Sequence, residues 1–278
     1  MNKKSLIDHP PNRVKKTRDG VIMYNIHDKY VGRSFDIYGE FSELECALFR
    51  QIMKPGMTAL DIGANIGAHT VPMAKLVGSN GSIIAFEPQR LMFQMLCGNV
   101  ALNGLTNVQT FMQAVGKEAG TVEVPSLAFD VPNNFGGMSL LSNIEPGFRH
   151  ESVPIIALDQ LNCPRCDFMK IDVEGMEQLV LEGAAMTLLR CQPLLYVEND
   201  RQDKSEQLIH HLLDAGYRLY WHLPPLFNPQ NFFECSENIF PDIVSNNMLG
   251  IPRSATSYAL TDFLEITHEN AAQHPGAQ

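Results

Sequence analysis

Apolar residues change their spacing several times along this chain, and each change marks an element. Thr58–Ile62 and Ser82–Glu87 are short apolar runs, whereas Ala68–Leu76 and Arg90–Asn103 have helical length, and Val108–Val115 is again strand-like. Short buried runs alternating with helices predict a parallel sheet covered on both faces. Thr121–Pro154 breaks the rhythm with Pro125, Pro132-Asn133-Asn134, Gly136-Gly137 and Pro146; strand-like pieces lie near Thr121–Val124 and Met138–Leu141. It resumes at Val153–Ala157, Asp167–Ile171 and Leu194–Val197, with a helix predicted over Met176–Leu189. Ser205–Ala215 puts Leu208, Ile209, Leu212 and Leu213 on one face, and Gly216 ends it. Tyr217–His222 and Asn247–Ile251 supply two further strands. The pattern is that of an α/β protein.

Upstream, residues 1–20 are polar and read as frayed or lightly docked, and Val21–Tyr24 with Ser34–Tyr38 reads as a small hairpin. Ser42 and Glu45 have the spacing of a capping box. They open a helix whose apolar positions are Leu44, Ala47, Leu48 and Ile52, and Lys54-Pro55-Gly56 stops it. Three parts follow: an extension over 1–53, a principal domain over 54–252 and a tail over 253–278 with a weak helix at Ser257–Ile266. A turn-rich insertion as long as 121–154 is either a lid over an acceptor site or a surface loop.

The chemistry centres on Asp61-Ile62-Gly63-Ala64-Asn65-Ile66-Gly67-Ala68-His69-Thr70, where a strand enters a glycine turn and then a helix. Ligands of open α/β sheets bind at such a turn. Gly63 and Gly67 allow tight turning and close approach of a ligand. A carboxylate at Asp61 would repel a pyrophosphate and attract an ammonium group. Asn65 replaces the middle glycine of the dinucleotide fingerprint, and the triplet of a nucleotide P-loop is absent. Glu87 ends the second strand about 20 residues on, where a carboxylate accepts bonds from ribose hydroxyls. Asp61 and Glu87 together favour S-adenosylmethionine over NAD. Asn65 and Thr70 suit its methionine end, and His69 reads as orienting the cofactor.

Five stretches carry a family resemblance: Lys54–Thr70, Ala85-Phe86-Glu87-Pro88, Asn99–Gly104, Ala114-Val115-Gly116 and Lys170-Ile171-Asp172-Val173-Glu174-Gly175. In this order they resemble the FkbM family of S-adenosylmethionine-dependent methyltransferases. The resemblance implies a class I methyltransferase fold, with seven mostly parallel strands and an antiparallel ending. It adds Pro88, Ala114 and Asp172 to the cofactor site, and implies methylation of a hydroxyl on a sugar or natural product.

On the acceptor side, Asp172 and Glu174 end one predicted strand, and Glu198, Asn199 and Asp200 end the next. Lys170 shares a face with Asp172. Asp172 or Glu174 is the expected base or acceptor-orienting group, with Glu198 and His222 as further catalytic candidates. The loop after His222, with its prolines and phenylalanines, reads as a pocket wall. Asp172, Glu198 and Asn199 also have the chemistry to hold magnesium, but a metal-free site is the preferred reading. Methylation of nitrogen or carbon, or cofactor binding without catalysis, remain the alternatives.

Net charge is −10, which disfavours a broad phosphate-binding surface and hence nucleic acid as partner. A small-molecule or carbohydrate acceptor and a possible homo-oligomer are expected. Met1–Arg18 lacks the apolar core of a signal peptide, and no apolar run reaches the ~18 residues of a membrane span. Cys163-Pro-Arg-Cys166 lacks the second ligand pair of a zinc site and reads as a loop. The scattered cysteines fit reduced thiols, which makes the cytoplasm the expected compartment.

Overall fold

The computed structural model describes residues 7–138, 149–256 and 263–275. Strands β1 (Ile7–His9), β2 (Asn12–Thr17) and β3 (Gly20–Asn25) form an antiparallel sheet ahead of helices α1 (Val31–Ile37) and α2 (Glu43–Ile52). The central alternation is β4 (Thr58–Ile62), α3 (Thr70–Val77), β5 (Ser82–Phe86), α4 (Arg90–Leu102) and β6 (Val108–Phe111). Then come β7 (Ala114–Val115), β8 (Gly120–Pro125), β9 (His150–Ile156), β10 (Phe168–Ile171), α5 (Glu177–Glu182), α6 (Ala185–Cys191) and β11 (Leu194–Glu198). Last are α7 (Gln202–Asp214), β12 (Tyr217–His222), β13 (Asn247–Pro252) and β14 (Leu264–Ile266).

The main sheet has the order β14-β12-β13-β11-β10-β4-β5-β6. Pairings from β11 through β6 are parallel, and those involving β13, β12 and β14 are antiparallel. Every residue of β10 is buried, as expected of a strand covered on both faces. On one face α2 and α3 bring Phe49 and Met73 onto Phe168 and Tyr196; on the other, α5 and α7 bring Val180 and Ile209 onto Met169 and Val197.

Several expectations fail for local reasons. The expected eighth-strand-free sheet gains β14: Leu264–Ile266 pairs with β12 instead of being helical, while 257–262 lie outside the described residues. Residues 7–19 are not frayed, because β1 pairs with β2 and β2 is the hairpin partner of β3; residues 1–6 lie outside the described residues. Ser34–Ile37 is helical, since Asp28 Oδ1 accepts the N–H of Tyr30 and Val31 and turns the chain into α1. Ser42 stands before α2 with φ 45° and makes no capping bond through its side chain. Val108–Val115 splits, with β6 in the main sheet and β7 in a smaller sheet of order β7-β9-β8.

The two ends of the insertion are thus the β8–β9 pair; 139–148 lie outside the described residues, including most of the expected strand at Met138–Leu141, where Met138 itself is not in a strand. The predicted Met176–Leu189 helix breaks at Gly183, where a Cβ would lie 2.1 Å from the Gly116 carbonyl oxygen. Asp159 then starts α6 by accepting the N–H groups of Met186 and Thr187. All six cysteines are free thiols, and Cys163 and Cys166 bond separate backbone carbonyls, as a loop does. Among the described residues, no helix is long and apolar enough to cross a membrane.

Candidate active site

Beyond the carboxyl ends of β4, β5, β10 and β11 lies a cavity of about 350 Å³. Its floor begins at the β4–α3 turn. Gly63 has φ 83°, and a Cβ there would come within 1.7 Å of the Asp172 carbonyl oxygen. The glycine is required by the approach of two protein strands. Gly67 has φ 85° and packs on Leu96 of α4, outside the cavity.

Asp61, expected at the mouth, is fully buried behind the cavity. Its Oδ2 accepts the Thr70 hydroxyl at 2.6 Å, so Thr70 also serves the scaffold and does not line the cavity. Strand register sets Lys170 between Asp61 and Tyr196. Lys170 Nζ lies 2.9 Å from Asp172 Oδ2 and 3.8 Å from Asp61 Oδ1. Burial alone would lower the lysine's affinity for its proton, but Asp172 and Asp61 reverse this and hold it firmly charged. Burial likewise pushes Asp61 and Asp172 upward; the closer lysine contact brings Asp172 below its ordinary value, while Asp61 stays above it.

On the cofactor side, Asn65 and Gln89 donate their backbone N–H groups to Glu87 Oε2 and Oε1, each at 2.8 Å. Burial still raises Glu87 to about 7, against those two bonds. Glu87 lines the cavity and each of its carboxylate oxygens keeps spare lone-pair capacity, which fits a ribose diol. Phe86, Pro88, Ala114 and Val115 make an apolar slot beside it. Asn65, with φ 50°, also lines the cavity. The donor set therefore fits an adenosyl group.

The acceptor side is acidic. Asp172, Glu174 and Glu198 all line the cavity, with one oxygen from each inside a 4.8 Å cluster. Glu177, missed in the sequence, builds this corner: its Oε1 accepts the N–H groups of Val173 and Gly175. Glu174 bonds Arg201 at 2.7 Å, yet burial and the charges of Asp172 and Asp200 raise it to about 8. Burial, then Asp172 and Glu174, push Glu198 well above the carboxylate range, and its Oε2 has no partner. Asn199 is turned away, donating to Ser205 and Met248. It leaves the expected magnesium set, and Lys170 and Arg201 already neutralise two of the three carboxylates.

His222 also stands apart. Its Nδ1 is 2.7 Å from the Tyr196 hydroxyl, and it does not line the cavity. Burial lowers it to about 4. The loop after it contributes Leu226, Ile243 and Ser245 to the wall, and α2 contributes Glu45. Glu45 had only a capping role in the sequence; nothing local shows that it reaches a site formed by β4 and β10. Gly136 and Gly137 bring the insertion to the cavity rim.

A sheet in this order, with a cavity at the β4 and β10 ends, has the class I methyltransferase fold. The methyltransferase FkbM domain matches residues 61–219, more than half of the chain. The chain belongs to the FkbM methyltransferase family. A methyltransferase FkbM from Methylobacillus flagellatus KT is 15% identical with TM-score 0.48, over 80% of this chain and 55% of that one. A precorrin-6y C5,15-methyltransferase from Geobacter metallireducens is 13% identical with TM-score 0.49, over 76% and 87%. Among curated proteins, the 23S rRNA (uracil(1939)-C(5))-methyltransferase RlmD of Psychrobacter arcticus is 23% identical over 130 residues, which are 45% of this chain and 25% of that protein. The chain thus spans a quarter of that curated relative and about half of the solved FkbM protein.

Proposed function

We propose that this protein transfers a methyl group from S-adenosylmethionine to a hydroxyl of a small, uncharged or cationic acceptor. The observation that carries the reading is one cavity with a ribose-type carboxylate, Glu87, at one end and the Asp172–Glu174–Glu198 corner at the other. When bound, the cofactor supplies an electrophilic methyl and a neutral leaving group. Glu87 holds the ribose, and the Phe86–Val115 slot takes the adenine. Asp172, kept ionised by Lys170, accepts a hydrogen bond from a polar group of the acceptor beside the reacting hydroxyl and so aims its oxygen. Alignment of this kind supplies much of the rate of a displacement.

The only cation on the cavity wall, among the described residues, is Lys170, and its charge is taken up by Asp61 and Asp172. A phosphate-rich acceptor therefore meets repulsion here, which supports a small molecule over RNA despite the rRNA-modifying relative. Thermal shift with S-adenosylhomocysteine and with NAD tests the first half. A panel of methyl glycosides, phenols, primary amines and ribosomal RNA with labelled methyl donor tests the second. Stabilisation by NAD alone defeats the cofactor assignment, and transfer only to amines or RNA defeats the hydroxyl assignment.

A further inference from the structure

We propose that His69 takes the proton of the acceptor hydroxyl during methyl transfer, with Glu45 as the residue that positions its ring. The inference deepens the methyltransferase reading and rests on it. His69 precedes α3, lines the cavity and is 6% exposed. Its ring is fixed between Phe41 and Phe49, with centroids 5.8 and 5.5 Å away. Nε2 is buried without a hydrogen-bond partner and faces Glu45 Oε2 at 3.6 Å. Glu45 is itself 4% exposed, lines the same cavity, and belongs to α2, outside the segment matched by the family.

A histidine serving only the fold would have its buried nitrogen bonded. Here the pair lines the cavity, within electrostatic reach of the ionised Asp172. With Nε2 directed at a carboxylate, Nδ1 is the ring nitrogen left for a ligand. A proton on Nε2 leaves a lone pair on Nδ1, and a carboxylate is the usual group that fixes such a tautomer.

In the step itself, the acceptor oxygen forms its bond to the methyl carbon while the carbon–sulfur bond breaks, its electron pair leaving on sulfur. The O–H proton moves to His69 Nδ1, and Glu45 balances the imidazolium until water carries the proton away. Burial, aided by the charge of Lys170, lowers His69 to about 3, so the accepting form is present at working pH. A weak base suffices, because the oxygen's proton becomes strongly acidic as the carbon–oxygen bond forms. Burial raises Glu45 to about 7. The groups facing it are Lys170 of β10 and Asp172 just beyond that strand, Ser42 and Ser245, His69, and Tyr196 of β11. Its charged fraction therefore grows as pH rises through about 7, and turnover should rise with it.

The test uses the full chain. Nitrogen-15 histidine spectra without cofactor should show a neutral His69 protonated on Nε2. Its signal should shift with a midpoint near 7 that Glu45→Gln removes. With the methyl glycoside or phenol that turns over, His69→Gln should lower kcat by about 100-fold or more. Its affinity for S-adenosylhomocysteine by calorimetry should stay within about threefold of the wild type. Glu45→Gln should lower kcat about tenfold with KM little changed and abolish the pH inflection, and Glu45→Asp should restore part of it. The proposal is overturned by an Nδ1-protonated ring, by near-normal kcat in His69→Gln, or by a kcat loss matched by lost cofactor affinity. A wild-type chain that binds no S-adenosylhomocysteine or methylates no hydroxyl defeats the parent reading instead.

Discussion

Replacing Lys170 by Met should destabilise the fold strongly, and more at pH 8 than at pH 5. The side chain is 3% exposed and stands between Asp172 at 2.9 Å and Asp61 at 3.8 Å. Removing one partner of a buried ion pair typically costs about 3–5 kcal/mol, because the remaining charge is left uncompensated. Asp172 opens to the cavity, with 35% of its side chain exposed, so solvent screens its share. Asp61 is fully buried, retains only the Thr70 hydroxyl bond, and carries most of the loss.

The pH dependence follows from linkage. In the wild type, Asp172 sits below its ordinary value, so its contribution is present above the unfolded carboxylate range and is lost as pH falls through the folded value. Lys170 sits above its ordinary value, so its contribution is complete below the unfolded lysine value and disappears only at very high pH. Without the lysine both carboxyls move upward. They then destabilise the fold at pH 8, and protonation relieves them as pH falls. Urea denaturation at the two pH values measures this. In an Asp61→Asn background, Lys170→Met should cost less, with a coupling of roughly 0.5–3 kcal/mol. A loss under about 1 kcal/mol at pH 8, or one that does not shrink at pH 5, refutes the assignment of Lys170 as the charge that holds these acids.

Glu87→Gln should weaken S-adenosylhomocysteine binding by about 1.5–3 kcal/mol in calorimetry, because a charge-assisted acceptor of the ribose is lost. Since Glu87 is raised to about 7, wild-type affinity should fall as pH drops below that value and the carboxylate protonates; a flat profile places the ribose elsewhere. Chelation with EDTA should leave turnover unchanged while Asp172→Asn loses most of it and still binds cofactor, whereas magnesium-restored activity would overturn the metal-free site. His222→Gln should retain turnover within about threefold and cost about 0.5–1.5 kcal/mol of stability through its Tyr196 bond; a large kcat loss would mean that it reaches the acceptor.

The sequence by itself determined the strands Thr58–Ile62, Ser82–Glu87 and Asp167–Ile171 to within a residue at their ends, because strands buried on both faces are predominantly apolar. It also located the Gly63 turn, and Glu87, whose backbone partners Asn65 and Gln89 belong to that turn and to the two residues after Glu87 itself. Groups on different strands are another matter. Asp61 looked like a ligand of the cofactor, yet the β4–β10 register sets Lys170 beside it and Thr70 of α3 bonds it. His222 ended a strand as a catalytic histidine would, but β12 lies two strands from β11, beyond β13, and places it on Tyr196. Glu45 read as a helix-start acid, and Glu177 was missed. Glu45 reaches the cavity because α2 packs across the sheet, whereas Glu177 shapes the acidic corner because its carboxylate folds back on its own preceding turn. Periodicity records which face of an element is buried; the partner on that face comes from elements far away in the chain, and only the assembled sheet specifies it.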